Sequence, residues 1–215
     1  FLKSIKEKAR ATKKTIVLPE SLEKRNLEAA ATTLKEGFAD IVLIGNREEV
    51  TKAAQEAGGF DVSGATIIDP ENYDRYDEMI ALFCELRKKK GVTPEQAKKI
   101  LADPLYFGVM LVKMGVADGM VSGATHPTAD VMRPALQIIK TKPGIKTAST
   151  FFVMCCDKKE FGDDGVLMFA DCTLNQFPDS QQLAEIAVTT ADSYAAFCDN
   201  EARVAMLSHS TKGSA

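Results

Sequence analysis

The sequence predicts an α/β protein in which a mostly parallel sheet, flanked by helices, is followed by a second region with a mixed sheet. Three observations carry this. Residues 15–19, 40–45 and 66–69 form short apolar runs without alternation, the pattern of strands buried on both faces. Helix-length amphipathic segments separate the runs, and strand–helix alternation favours a parallel sheet. After Lys142-Pro143-Gly144 the texture changes, and two apolar strands are joined by a loop too short to hold a crossover helix. Such strands should pair antiparallel.

Each element has a local reason. Residues 1–10 read as a short amphipathic helix. Thr15-Ile-Val-Leu-Pro19 is a buried strand stopped by its proline. Ser21 is expected to cap a helix over residues 22–36, with Leu27, Ala30, Ala31 and Leu34 on one face and Gly37 ending it. Residues 40–45 form the second strand. Asn46 and Glu49 make a capping-box pattern for a helix that ends near Gly58. Residues 66–69 form the third strand. A long helix over residues 73–90 buries Met79, Leu82, Phe83 and Leu86, and Gly91 terminates it. Thr93-Pro94-Glu95-Gln96 combines a cap, a proline at the first helical position and a glutamine three residues after the cap. Asp103-Pro104 opens another helix that runs to about Met114. Pro134 leaves two options, because it lacks an N–H and disfavours helical geometry at Arg133. Either a helix from Ala129 is kinked there, or a turn ends at Arg133 and a new helix starts; the second is preferred. Residues 148–156 and 166–171 are the antiparallel strands, with Cys155 and Cys156 expected in strand core. Ser180 is expected to cap a helix over 181–197 whose inner face carries Leu183, Ile186, Ala187 and Ala191, and residues 203–207 read as a final strand. That strand would stand uncovered, so the natural polypeptide is expected to continue beyond Ala215. The domain assignment is 1–144 for a first α/β domain and 145–215 for part of a second.

Composition narrows the function. At 215 residues with 45% hydrophobic content the chain is an ordinary globular sequence and not a disordered one. A net charge of −3, no tryptophan and 7% aromatics give no general basis for nucleic-acid or membrane-surface binding. No apolar run approaches a membrane span, and the start, which lacks a methionine, does not resemble a signal peptide. The 5 cysteines show no C-x-x-C spacing, which fits reduced thiols in a cytoplasmic protein better than disulfides or zinc.

The chain is organised around residues 117–136, ADGMVSGATHPTADVMRPAL. A short apolar run ends at Ser122-Gly123, a loop of small and hydroxyl residues follows, and a helix-like segment carries Arg133. Unpaired N–H groups and partial positive charge at a helix start suit an anion, and hydroxyls with an arginine complete a phosphate cradle. Arg133 is therefore the first candidate for holding a phosphoryl group, with Ser122, Thr125 and Thr128 as donors beside it. Their plain alternatives are a surface ion pair for Arg133, a turn hydroxyl, and a helix cap, a role expected of Thr128 in either case. By composition Arg87 belongs to a cationic helix end that complements the dipole. Ser210, Thr211 and Lys212 follow a strand as a nucleotide loop would, but the order is not that of a P-loop. His126 and His209 lie in loops beside these sites, where a hydrogen-bonding role competes with an acid–base one. Asp171 and Asn175 end a strand, where ligands bind in open sheets, although a turn role for Asn175 is equally open. No nucleophile–base pair and no metal-ligand cluster is present.

Three stretches together resemble the phosphate acetyltransferase (phosphotransacetylase) family. They are DGMVSGATHPTADVMRPALQ from Asp118, FADCTLN from Phe169 with QLAEIA from Gln182, and RVAMLSHSTKGS from Arg203. Ile16-Val-Leu-Pro-Glu20 and Leu86-Arg-Lys88 are similar to the family as well, so the resemblance runs the length of the chain. It implies reversible transfer of an acetyl group between coenzyme A and inorganic phosphate. It also implies a two-domain architecture like that of the isocitrate and isopropylmalate dehydrogenases, with the active site in the cleft between domains. By the same resemblance Arg133 is the principal cation, Arg87 is a second substrate-site arginine, and Ser210, Thr211 and Lys212 face coenzyme A or phosphate. No tightly bound cofactor is implied, coenzyme A being a substrate; a cytoplasmic homodimer that binds neither nucleic acid nor membrane is expected. Family chains run well past residue 215, and the aspartate thought to act as base, near a Ser-Arg pair, is expected there. The alternatives are a phosphate butyryltransferase, a non-catalytic regulatory module like that fused to large malic enzymes, and a decarboxylating dehydrogenase. The last would need acidic metal ligands and a nucleotide loop, which the sequence lacks.

Overall fold

The computed structural model describes residues 1–198 and 200–207. The chain divides into two compact units, Lys6–Lys140 and a second made of Phe1–Ile5 with the residues from Thr141 onward.

The first unit is a doubly wound sheet. Strands β1 (Lys14–Leu18), β2 (Ala39–Ile44), β3 (Thr66–Ile68) and β4 (Gly119–Met120) lie in the order β3-β2-β1-β4. All are parallel, with Ile16 beside Ile41 on one side and Gly119 on the other. The strands are apolar without alternation because both faces are covered. Leu18, Ile41 and Leu43 pack with Leu27 and Ala30 of α2 (Lys24–Glu36) and with Val50 and Ala54 of α3 (Arg47–Gly58). Val17, Val42 and Ile44 face the opposite layer, built from α4 (Tyr76–Leu86), α5 (Pro94–Leu101) and α6 (Pro104–Lys113). There Met79, Phe83, Leu101, Phe107 and Met110 are fully buried, each contributing about 1.5–3 kcal/mol. Helix α6 is buried nearly all round, and its Gly108 lies against the sheet: a Cβ there would stand 2.8 Å from Met120 Sδ and 3.3 Å from Ile44 and Val17 side chains. Helix α1 (Leu2–Ala11) reaches this unit through Lys6 and Arg10, which hold Glu36 at the end of α2.

The local signals fared unevenly. Thr93 and Gln96 form the full reciprocal capping box of α5, and Asn46 caps α3 through the N–H groups of Glu48 and Glu49. Gly37, in the left-handed region at φ 69°, ends α2. Ser21 does not cap α2, which Glu23 does; its hydroxyl donates to Leu18 O (2.8 Å) and accepts from Ile44 N (2.7 Å), tying together the ends of β1 and β2. The long helix expected over 73–90 is shorter. Four adjacent cations, Arg87 to Lys90, crowd one turn, and the chain leaves the α-helix at Arg87 for a 3₁₀ turn, Lys88–Lys90.

In the second unit β5 (Phe151–Cys155) and β6 (Val166–Ala170) pair antiparallel, as the short loop requires. Helix α8 (Ser180–Cys198) packs on β6, with Leu183, Ile186, Ala187 and Ala191 lining an apolar cavity of about 470 Å³. Its cap is Asp179 and not Ser180: Asp179 Oδ1 accepts from Gln182 N while Gln182 Oε1 accepts from Asp179 N. Two further expectations are corrected. Cys155 and Cys156 are exposed, because a two-stranded sheet covers little. Residues 203–207 form no strand: no described strand lies alongside to complete a ladder, and they line the apolar cavity instead.

Candidate functional site at the carboxyl ends of the strands

The strand order places a topological switch point between β1 and β4, since the chain moves from β1 to β2 and β3 and then returns to the other side of β1. Ligands in open α/β sheets bind outside the carboxyl ends at such a point. Here the loop after β1 meets the loop after β4, and the meeting is electrostatic. Glu20, with only 2% of its side chain exposed, accepts on Oε2 from the N–H groups of Gly123 and Ala124, both at 2.9 Å. On Oε1 it accepts from the N–H (2.6 Å) and hydroxyl (2.8 Å) of Thr125 and from His126 Nδ1 (2.8 Å). Burial alone would raise the Glu20 pKa, but the bonds from His126, from the N–H groups of Thr125 and Ala124 and from the Thr125 hydroxyl outweigh it and hold the carboxyl well below the usual range. Arg25 secures the loop from outside, donating to Ala124 O at 2.6 Å and to Glu23 at 2.8 Å.

Donors from residues 123–126 do gather around an anion, but that anion is the chain's own Glu20, and Ser122, Thr128 and Arg133 make no bond to it. Thr125 spends both donors there. Thr128 does not cap the helix that follows: α7 (Thr128–Pro134) starts at Thr128, Pro127 is the preceding residue, and no side chain caps it. Ser122 keeps a buried hydroxyl with no hydrogen-bond partner. Glu20 itself escaped the sequence argument. Its only local signal is an acidic residue directly after a strand-ending proline.

Helix α7 carries Arg133 in its last turn, in an exposed pair with Asp130 at 3.4 Å. Pro134 neither kinks a long helix nor starts a new one. The helix widens after it into a π-helical turn, Ala135–Ile139, closed by Lys140 N to Ala135 O at 3.0 Å. The proline's missing N–H leaves a gap in the ladder that the wider turn absorbs. Arg133 and Arg87 converge electrostatically on Tyr106 of α6. Burial raises the Tyr106 pKa; the charge of Arg133 acts against it, Asp103 adds to it, and Arg87 and a 3.3 Å hydrogen bond with Gln137 oppose it more weakly. Arg87, half-buried at the end of α4, makes no ion pair with a described residue.

Asp171 and Asn175, after β6, organise a turn. Asp171 accepts from the Thr150 hydroxyl (2.6 Å), from the N–H groups of Thr173, Leu174 and Asn175, and from the Asn175 amide. Burial would raise its pKa, but the Thr150 hydroxyl and these N–H groups bring it down to about 2. Asn175 also donates to Ala148 O. His209, Ser210, Thr211 and Lys212 lie outside the described residues. Among the described residues no group of three His, Cys, Asp or Glu side chains could hold a metal ion, and no helix is long and apolar enough to cross a membrane.

Comparison with known proteins agrees along the whole chain. Residues 1–215 match the family described as "Phosphate acetyl/butaryl transferase". The chain is 53% identical over its full length to a phosphate acetyltransferase of Thermoanaerobacterium thermosaccharolyticum, spanning 65% of that protein. It is 49% identical to one of Clostridium acetobutylicum, spanning 64% of it. Among solved structures it superposes on a phosphotransacetylase from Streptococcus pyogenes with a TM-score of 0.88 at 47% identity, covering 100% of this chain and 63% of that one. The chain thus spans just under two thirds of the length of these relatives.

Proposed function

The chain belongs to the phosphate acetyl/butaryl transferase family, and from that premise we propose that the whole protein transfers an acetyl group reversibly between coenzyme A and inorganic phosphate. The observation that carries this is the unbroken match over residues 1–215, with relatives named phosphate acetyltransferase at 46–53% identity. In one direction the coenzyme A sulfur attacks the carbonyl carbon of acetyl phosphate. The carbon–sulfur bond forms, the bond from carbon to the bridging phosphoryl oxygen breaks, the thiol proton goes to a base, and phosphate leaves. The protein must hold the phosphoryl group, offset its charge and keep the reactants in line.

In this reading Arg133 holds phosphate or acetyl phosphate, Arg87 is the second cation, and Ser122, Thr128, Ser210, Thr211 and Lys212 contribute donors around the substrates, while Thr125, whose N–H and hydroxyl both serve Glu20, shapes the loop and does not donate to substrate. Support for Arg133 comes from its weak commitment elsewhere. An exposed pair with Asp130 is worth about 0–1 kcal/mol, so the guanidinium is readily given over to a dianion that it grips with two parallel bonds. Support for Arg87 is its charge acting on the same phenol with no ion-pair partner among the described residues. For Ser122 it is the unpartnered hydroxyl. Coenzyme A is a substrate and not a resident cofactor, and the protein is taken to be a cytoplasmic homodimer, as the family resemblance suggests.

The test is direct. The whole protein, given coenzyme A and acetyl phosphate, should produce acetyl-CoA, followed by thioester absorbance. Arg133→Ala should lower kcat/KM about 100-fold or more, the usual consequence of losing a charge-stabilising donor. Absence of product from the unaltered protein refutes the activity, and an unaffected Arg133→Ala enzyme refutes the role of that residue.

A further inference from the structure

A shallow pocket of about 560 Å³ lies at the carboxyl ends of β1 and β4. Its walls are largely apolar, with Pro19, Leu22, Ile44, Pro70 and Pro104 around the ring of His126. Its polar chemistry is one-sided. The N–H groups of Gly123, Ala124 and Thr125 and the Thr125 hydroxyl, which would have suited a phosphate, are spent on Glu20. Glu20 and Glu23 are among the lining residues, and Arg25 turns its guanidinium onto Ala124 O and Glu23. A carboxylate only accepts, so the ring nitrogen 2.8 Å from it, Nδ1, carries a proton. With that nitrogen committed, Nε2 is the one atom the imidazole has left for a ligand, and in the neutral ring it is an acceptor.

We propose that this pocket takes an uncharged group that joins an N–H donor to an apolar body, with the donor received by Nε2 of His126. Glu20 is the positioning residue that sets the ring and its tautomer. The inference rests on the acetyl-transfer reading, in which coenzyme A supplies such groups at two places: the exocyclic amine of its adenine and the amide N–H groups of its pantetheine arm. A bare phosphate is the ligand the pocket suits least, since the N–H groups of residues 123–125 and the Thr125 hydroxyl are already occupied by Glu20.

Calorimetric titration of the whole protein with coenzyme A, adenosine, pantetheine and inorganic phosphate separates these cases. His126→Phe keeps a ring of similar width and removes the acceptor. It should weaken coenzyme A binding about 3- to 10-fold, the effect of one hydrogen bond, and leave phosphate binding unchanged. The fragment that weakens in parallel, adenosine or pantetheine, names the end of coenzyme A that the pocket holds. Leu22→Glu, at a side chain 59% exposed and outside the core, adds charge to the wall without disturbing the fold and should weaken the same fragment. The sequence contains only 2 histidines, so ring nitrogen-15 signals are readily assigned. They should show the His126 proton on Nδ1 in the free protein and a shift of Nε2 when the fragment is added. Weakened phosphate binding with coenzyme A unaffected, coenzyme A binding indifferent to both variants, or a free-protein proton on Nε2 alone would each overturn the proposal. Failure of the unaltered protein to make acetyl-CoA would instead sink the acetyl-transfer reading, whatever the titrations give.

Discussion

At the scale of single residues the molecule turns on Glu20. Every group that faces its carboxylate is a donor: three backbone N–H groups, one hydroxyl and one imidazole nitrogen. A glutamine of the same shape would aim amide hydrogens at some of those donors. Glu20→Gln should therefore lower the stability of the Lys6–Lys140 unit by about 2–4 kcal/mol, read from the urea midpoint; an unchanged midpoint would show that the five bonds carry no net stability. Glu20 was invisible as a site residue because its partners lie 103 to 106 positions away, beyond any local pattern. Arg133 could be proposed from sequence because helix, arginine and proline are adjacent in the chain. What adjacency could not reveal is that the Thr125 donors upstream of it were already taken by Glu20.

At the scale of elements, signals confined to four residues were the ones that could be read. The capping box at Thr93 is one, and replacing that residue with alanine should cost about 1 kcal/mol by denaturant titration, without altering the slope of the transition. Ser21 looked like the same kind of signal and was not, since its hydroxyl serves Ile44, 23 positions on. At Pro134 the sequence offered a kink or a restart and the structure holds neither; the helix continues into a π turn whose Ile138 is buried in the core. The contact of α6 with the sheet makes a sharper forecast. Gly108→Ala places a methyl 2.8 Å from Met120 Sδ and 3.3 Å from two branched side chains. Met120 can swing aside but the β-branched neighbours are stiff, so a loss of about 1–3 kcal/mol is expected from thermal melts. A variant as stable as the parent would mean that the helix can move away from the strands freely.

At the scale of the whole molecule, the apolar strands and the change of texture near residue 143 were enough to give the fold class, because both express which faces are covered. The final strand at 203–207 was not recoverable, because a strand is defined by a neighbour and its own residues do not say whether one is present. Each unit also contains a carboxylate held below its ordinary pKa, Glu20 in one and Asp171 in the other. Both are depressed, so the unfolded chain binds more protons than the folded one below the ordinary values of 4.5 and 3.8. Stability is then full above about pH 5 and drains away as pH falls, Asp171 giving up its share by about pH 2. Urea midpoints should decline from pH 5 to pH 3, and Glu20→Gln should flatten the decline; a midpoint that rises on acidification would contradict the linkage. The Glu20 loop has a further consequence for the protein at work. Its counter-anion is tethered to the same chain, so its local concentration is set by the length of backbone and not by the surrounding solution. A phosphate-poor medium cannot empty that loop, and a phosphate-rich one has little to add to it. The loop therefore keeps its shape at any phosphate concentration, where a loop assembled by a free ligand would lose it as that ligand is diluted.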